Sequence, residues 1–128
     1  MKHKQHVLKA KDEEFNRKAI ENKSTEILAD LEHSAHKTSL KHLDSGLNHV
    51  LANIATRNKI SIGLDLEKAR HLDRKDKAIC LSCIIQNLKI CRKAKTSIAM
   101  KGSKEQFYTL LSIGASTQQA KQALTKHF

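Results

Sequence analysis

The sequence has no proline, no tryptophan and only four glycines, and aromatic residues make up 3% of its 128 positions. Sandwiches and barrels of β-strands need turn residues between many short strands and β-branched or aromatic side chains to fill them. The scarcity of these residues argues against both architectures. The sequence therefore predicts an all-α protein, a small helical bundle of about five to six helices around one modest core.

The chain also lacks any long uninterrupted apolar run. Its first residues, MKHKQHVLKAKDEE, carry charges where a secretory signal would have its apolar segment. The sequence thus predicts neither a membrane-spanning segment nor export, and it favours a cytoplasmic protein. In that compartment the odd set of three cysteines, Cys80, Cys83 and Cys91, is expected to consist of reduced thiols.

Acidic residues are few beside basic ones, 13 against 24, and the formal net charge is +11. This excess favours a negatively charged partner. No acidic residue occurs between Lys77 and Lys104, so the positive charge is concentrated towards the C-terminal half. Single-stranded nucleic acids are usually bound through aromatic stacking, for which this chain has few side chains. The composition therefore favours contact with the backbone of duplex DNA and disfavours a membrane surface.

Repeats, low-complexity tracts and Gly/Ser linkers are missing, which indicates consecutive helices joined by short turns. We expect residues 1–9 to form a flexible basic N-terminal arm and residues 10–128 to form a single helical domain. Asp73, with Asp76 three residues later, has the pattern of a helix N-cap. The spacing of apolar residues predicts helices over 11–36, 40–58, 64–72 and 74–100.

Two glycine-led turns and two cap patterns predict a hairpin of helices over residues 103–127. Ser103 with Gln106, and Ser116 with Gln119, have the spacing of reciprocal capping boxes. Residues of about 106–125 resemble the helix-turn-helix DNA-binding motif of bacterial repressors. The matching positions are the turn glycine, the small contact residues and the inward-facing end of the second helix, that is Gly114, Ala115, Ala120, Ala123 and Leu124.

The resemblance implies a small basic DNA-binding protein, a transcriptional or plasmid/phage-type regulator, and a homodimer is expected because one such motif reads only a half-site. The second helix would read the major groove, and the turn amides and nearby cations would hold phosphates. The implied DNA-binding residues are Ser116, Thr117, Gln118, Lys121, Gln122, Lys101, Lys104, Lys89, Arg92, Lys93 and Lys95.

A capped helical hairpin of any kind would show the same pattern. The alternative is therefore a non-enzymatic helical protein-interaction module, an adaptor, secretion chaperone or antagonist whose basic face binds an acidic protein partner. No phosphate loop or nucleophile motif is recognisable, so no enzyme is predicted.

Metal binding is considered and not favoured. Cys80, Cys83 and Cys91 with His71 could supply four zinc ligands, but their spacing matches no known finger and an apolar helix favours buried thiols. Helical di-iron sites use acidic and histidine residues three apart, like Asp30 and His33, but they need a second such pair. With Glu26, Glu67 and His71 as the other candidates, that pair is missing. The sequence therefore predicts no metal and no cofactor.

Overall fold

The computed structural model describes residues 6–33, 44–101, 107–126 and 128 of the chain. Strands and helices alternate along these ranges, with a short 3₁₀ turn at Leu31–His33. The strands are β1 (Val7–Lys9), β2 (Ile27–Ala29), β3 (Ser61–Leu64) and β4 (Ile98–Met100). The helices are α1 (Glu13–Glu21), α2 (His49–Arg57), α3 (Leu66–Arg70), α4 (Arg74–Ala94), α5 (Phe107–Ser112) and α6 (Thr117–Thr125).

The four strands form one parallel sheet in the order β1-β2-β3-β4. Each strand is thus hydrogen-bonded to the strand that follows it in sequence, and helices make the crossovers. Right-handed crossovers in such a sequential sheet place their helices on the same face. The protein has an α/β fold, and the predicted all-α bundle with its five to six helices is wrong.

The prediction failed because the strands are only three or four residues long. A buried parallel strand of this length is a short apolar run without visible alternation, which periodicity cannot distinguish from part of a helix. Ile27–Ala29 and Ile98–Met100 lie within the predicted helices over 11–36 and 74–100, and β3 lies between two predicted helices, with only Leu64 inside one of them. All three strands are buried along their whole length.

The main core lies between the sheet and the helices. Alternate strand residues, among them Leu28, Ile62 and Ile98, point to this side and are fully buried. The helices contribute Ile20, Leu51, Ile84 and Leu88 to the same cluster.

The opposite face of the sheet carries mostly small residues, and one aromatic ring lies against it. Phe128 packs with the cluster of Ile27, Ala29 and Ala99. A Cβ atom at Gly63 would lie 2.7 Å from the Phe128 ring, so this close approach requires glycine.

The outer edge of β4 is paired with the last residues of the chain. The amide of Met100 donates to the carbonyl of Lys126 (2.8 Å), and the amide of Phe128 donates to the carbonyl of Met100 (3.1 Å). This alternation is the hydrogen-bond pattern of a parallel ladder. The sheet therefore continues past β4.

Several predicted helix ends match the structure. Asp73 is the N-cap of α4 and accepts a hydrogen bond from the amide of Asp76 (2.8 Å), and Asn58 ends α2. The predicted helix over 11–36 is wrong at 22–33, with 34–36 outside the described residues, and the one over 74–100 is wrong after Ala94. The predicted helix over 40–58 is wrong at 44–48, because α2 begins only at His49. The part of that helix at 40–43 and the capping pair at 103–106 lie outside the described residues.

The predicted N-terminal arm, residues 1–9, lies only partly within the described residues. Residues 1–5 lie outside it, whereas Val7–Lys9 form β1 and pair in register with β2. In the described ranges, no helix has the length and apolarity needed to cross a membrane.

Candidate nucleic-acid interface

A groove of about 880 Å³ lies between the last turns of α4 and the first turns of α6. None of the described residues that line it is acidic, and two of them, Arg92 and Lys95, are cations. We call it the α4–α6 groove. Its lining consists of Cys91, Arg92, Lys95, Thr96, Ala115, Ser116, Thr117, Gln118, Gln119 and Gln122.

Local sequence chemistry positions α6 at the groove. Gly114 has φ +108°, which turns the chain between α5 and α6. Ser116 then caps α6 in the predicted capping box: its Oγ accepts from the amide of Gln119 (3.1 Å), and Gln119 Oε1 accepts from the amide of Ser116 (3.0 Å). Gln119 Nε2 also donates to the carbonyl of Leu88 (2.8 Å), which ties α6 to α4.

The other wall of the groove depends on how α4 ends. Lys95 adopts a left-handed conformation with φ +61° and donates its amide to the carbonyl of Cys91, which closes the helix. Thr96 follows and is buried, with its hydroxyl 2.8 Å from that of Thr56 and 3.1 Å from the carbonyl of Ala52. The backbone carrying Lys95 is therefore anchored immediately before β4.

The electrostatics of the groove favour an anion. Arg92 and Lys95 are exposed, and within the described part of the chain neither forms a salt bridge. The amides of Thr117 and Gln118, in the first turn of α6, have no acceptor within the helix and lie at the positive end of its dipole. Two cations and a helix amino terminus thus face the same groove, a combination suited to a phosphate group.

The remaining residues predicted on α6 lie beside the groove. Lys121 lines a shallower cavity of about 540 Å³ together with Thr117, Gln118, Gln122 and Thr125. Lys121, Thr117 and Gln118 are exposed, but Gln122 Oε1 accepts from the amide of Ile98 (3.4 Å) and is held towards β4. The buried face of α6 packs against β4 at the edge of the sheet.

The other predicted cations that the structure describes do not join this surface. Lys89 and Lys93 line a separate cavity of about 570 Å³ with residues that precede and begin α2, on another side of α4. Lys101 is exposed after β4, at the opposite end of the strand from Lys95. Lys104 lies outside the described residues.

Three residues that line the groove, Gln119, Cys91 and Thr96, were not predicted as part of the site. Gln119 was recognised only as a cap, although its buried side chain also connects two helices. Cys91 and Thr96 line the groove without having been considered for it. Gln119 is a polar residue on the inner face of α6, which is otherwise small and apolar. This pattern is the signal that could have predicted its buried contact with α4.

The cysteines do not form a metal site with His71 in the described structure. Among its residues, the group of three potential ligands that lie close together is Asp30, Glu32 and His33, which contains no thiol. His71 is exposed and pairs with Glu67 on α3. All three cysteines are buried and none forms a disulfide, as expected for small core residues.

We expect these thiols to be unreactive in the folded protein. Burial raises the pKa of both Cys80 and Cys91 to about 12. At about pH 8 only about one such thiol in ten thousand is ionised, and the thiolate is the reactive form. Labelling with Ellman's reagent should be slow for the native protein and should reach three thiols per chain in guanidinium chloride. Rapid labelling before unfolding would contradict the burial of these residues.

No family model matches the chain. It is 30% identical over 97 residues to ribonuclease P protein component 3 of Methanococcus vannielii, and 28% identical over 106 residues to the protein of the same name from Methanococcus maripaludis strain C7. These alignments cover 76% and 80% of this chain but only 39% and 41% of the relatives. The chain thus spans about two fifths of the curated relatives that it matches.

A solved structure has the same fold. A chain in the cryo-EM structure of archaeal ribonuclease P with mature tRNA superimposes with a TM-score of 0.70 and 21% sequence identity. The match covers 94% of this chain and 54% of the other chain. The α/β fold described above is therefore one that occurs in a ribonuclease P particle.

These comparisons correct the predicted function. The relatives are ribonuclease P proteins and not bacterial repressors, so the helix-turn-helix resemblance and the transcriptional regulator that it implied are wrong. Duplex DNA is likewise wrong as the partner, because the structural neighbour belongs to a complex with tRNA. The alternative of an adaptor or chaperone for an acidic protein is not supported either.

Proposed function

We propose that this chain is a protein subunit of a ribonuclease P ribonucleoprotein and binds structured RNA through the α4–α6 groove. The observation that carries this proposal is the acid-free groove, where Arg92 and Lys95 face the amino end of α6. Its location in a chain similar to ribonuclease P protein component 3 supports RNA as the anion.

Contact with the backbone of an RNA helix suits this groove better than the reading of DNA bases that the sequence predicted. The major groove of an A-form helix is too deep and narrow for side chains to read, so proteins contact phosphates and 2′-hydroxyl groups. In this proposal the two cations and the first-turn amides bind phosphate. The side chains of Thr117 and Gln118 are exposed at the same end and can exchange hydrogen bonds with ribose. Lys121 extends the contact along α6.

The described lining of this groove contains no aspartate, glutamate or histidine that could hold a catalytic metal ion or act as a general base for phosphodiester cleavage. We therefore propose that the chain contributes RNA binding and assembly to the particle and is not itself the catalyst. The three cysteines, none of them in a disulfide, suit a protein of the reducing cytoplasm.

Fluorescence anisotropy can test the proposal with a labelled RNA hairpin and a DNA duplex of the same sequence. The RNA should bind more tightly, with a logarithmic salt slope of about −2 for two to three phosphate contacts between about 50 and 300 mM KCl. Addition of the chain to a ribonuclease P RNA transcript should protect backbone riboses from hydroxyl-radical cleavage. Equal affinity for RNA and DNA, or no binding at the lowest salt concentration, would contradict the proposal.

A further inference from the structure

The carboxyl ends of β2 and β3 bring together a second group of polar side chains, away from the α4–α6 groove. Asp30 follows β2 directly, and Glu32 and His33 lie in the 3₁₀ turn after it. Each can offer one metal-ligating atom, and these atoms all lie within 4.8 Å of one another. In parallel α/β folds this edge of the sheet is where ligand sites are commonly built.

Glu32 is the most unusual member because its carboxylate is buried and half satisfied. Its Oε1 accepts from the amide of Asp65 (2.9 Å), whereas its Oε2 is buried without a hydrogen-bond partner in the described structure. An unpaired buried oxygen of this kind costs more than an ordinary hydrogen bond contributes. Burial is also the main reason why the pKa of Glu32 rises to about 7, with the charges of Asp30 and Asp65 adding to it. Lys68, the cation beside this group, pairs with Asp30.

His33 presents a nitrogen to the same point. Its Nε2 is 3.6 Å from Glu32 Oε1 and 3.1 Å from the carbonyl oxygen of Asp65, and its Nδ1 is 3.7 Å from Cys80 Sγ. With the proton on Nε2, the ring donates to the Asp65 carbonyl. With the proton on Nδ1, towards the sulfur, the Nε2 lone pair faces two oxygen atoms. Three electron-pair donors then converge, which is an arrangement that a cation stabilises.

Asp30 leaves the group accessible from solvent. Its side chain is 15% exposed, and its Oδ2 lies 3.8 Å from Lys68 Nζ. The Lys68 side chain is 52% exposed, so its ammonium group can leave for solvent when another cation arrives. The backbone amide of Lys68 caps onto Asp65 Oδ1 and does not depend on that side chain.

We propose that Asp30, Glu32 and His33 form a binding site for one divalent transition-metal ion, most suitably Mn²⁺. Carboxylate and carbonyl oxygens suit Mn²⁺ and Mg²⁺, whereas imidazole suits later transition metals, so Mn²⁺ accommodates the mixed donor set. The Asp65 carbonyl is a fourth donor within reach of His33. The spacing of Asp30 and His33 did not predict this site. Both were expected on one helix, and a helical di-iron site needs a second pair of acidic and histidine residues.

The test uses the full chain after dialysis against EDTA, with Mn²⁺ alone as the probe. Titration followed by the electron paramagnetic resonance signal of free Mn²⁺, at about pH 8 where Glu32 is ionised, should give one equivalent bound. Asp30→Asn and Glu32→Gln should each weaken binding by about tenfold or more. Lys68→Ala should instead strengthen it by about two- to fivefold at low salt, because a competing cation is removed.

The exposed pair Glu67 and His71 provides the matched control, since it also offers a carboxylate and an imidazole, 3.2 Å apart. The double variant Glu67→Gln and His71→Gln should bind Mn²⁺ like the original chain. Loss of binding in this control would overturn the proposal, as would substoichiometric binding or an affinity unchanged by Asp30→Asn. Asp30 and Lys68 are solvent-accessible, so their variants keep the test decisive if Glu32→Gln fails to fold.

Discussion

Replacing both Arg92 and Lys95 with glutamate should weaken binding of the RNA hairpin by about 100-fold at low salt. Both side chains line the α4–α6 groove without an acidic neighbour in its lining, so the substitution turns two attractive contacts into repulsive ones. The logarithmic salt slope should also become shallower by about two, because each phosphate contact releases about one counterion. Anisotropy titrations at several salt concentrations measure both quantities.

The same helix supplies a control with an identical change of charge. Arg74 and Lys75 are exposed at the amino end of α4, about 27 Å along the helix from Arg92 at 1.5 Å per residue. Glutamates at Arg74 and Lys75 face the positive end of the helix dipole and should not harm stability. This control should lose affinity only a few-fold, through the lower net charge. If the two double variants bind equally weakly, net charge alone determines affinity and the groove is not the binding site.

The caps of the helices could be predicted from sequence because they are local. Asp73 begins α4 and the Ser116–Gln119 box begins α6, as their spacing predicted. The acid-free basic stretch also includes the carboxyl end of α4, where the α4–α6 groove lies. Its cations nevertheless diverge, because Lys89 and Lys93 project to a different side of the helix from Arg92. The spacing of apolar residues along the predicted helix over 74–100 does not show which of these cations lies beside α6.

The repressor resemblance had a physical basis even though its implication was wrong. A left-handed Gly114 followed by a capped helix is the local chemistry of any tight helix-to-helix turn. Here the α5–α6 pair follows β4, and α6 lies on that strand. The strands that create this setting are too short to carry a period. The group of Asp30, Glu32 and His33 was hidden for the same reason, since its proximity to Asp65 arises from the pairing of β2 with β3.

The Gln119→Ala variant should lower the free energy of unfolding by about 2–3 kcal/mol. The substitution removes the hydrogen bond to the Leu88 carbonyl and the one from the Ser116 amide, and it leaves a void where a buried side chain was. Urea unfolding followed by circular dichroism measures the loss. The neighbouring Gln118 is exposed, and Gln118→Ala should change stability by less than about 0.5 kcal/mol.

The Gln119→Glu variant separates the two roles of this side chain, which caps α6 and also connects α6 to α4. Glutamate is as good as glutamine at the third position of a capping box and suits the positive end of α6. It cannot donate a hydrogen bond when ionised, however, so its carboxylate would be buried against the Leu88 carbonyl. If the connection between α4 and α6 holds the groove together, Gln119→Glu should be at least as destabilising as Gln119→Ala at neutral pH, and less so in acid. A stability equal to that of the original chain would mean that Gln119 serves only as a local cap.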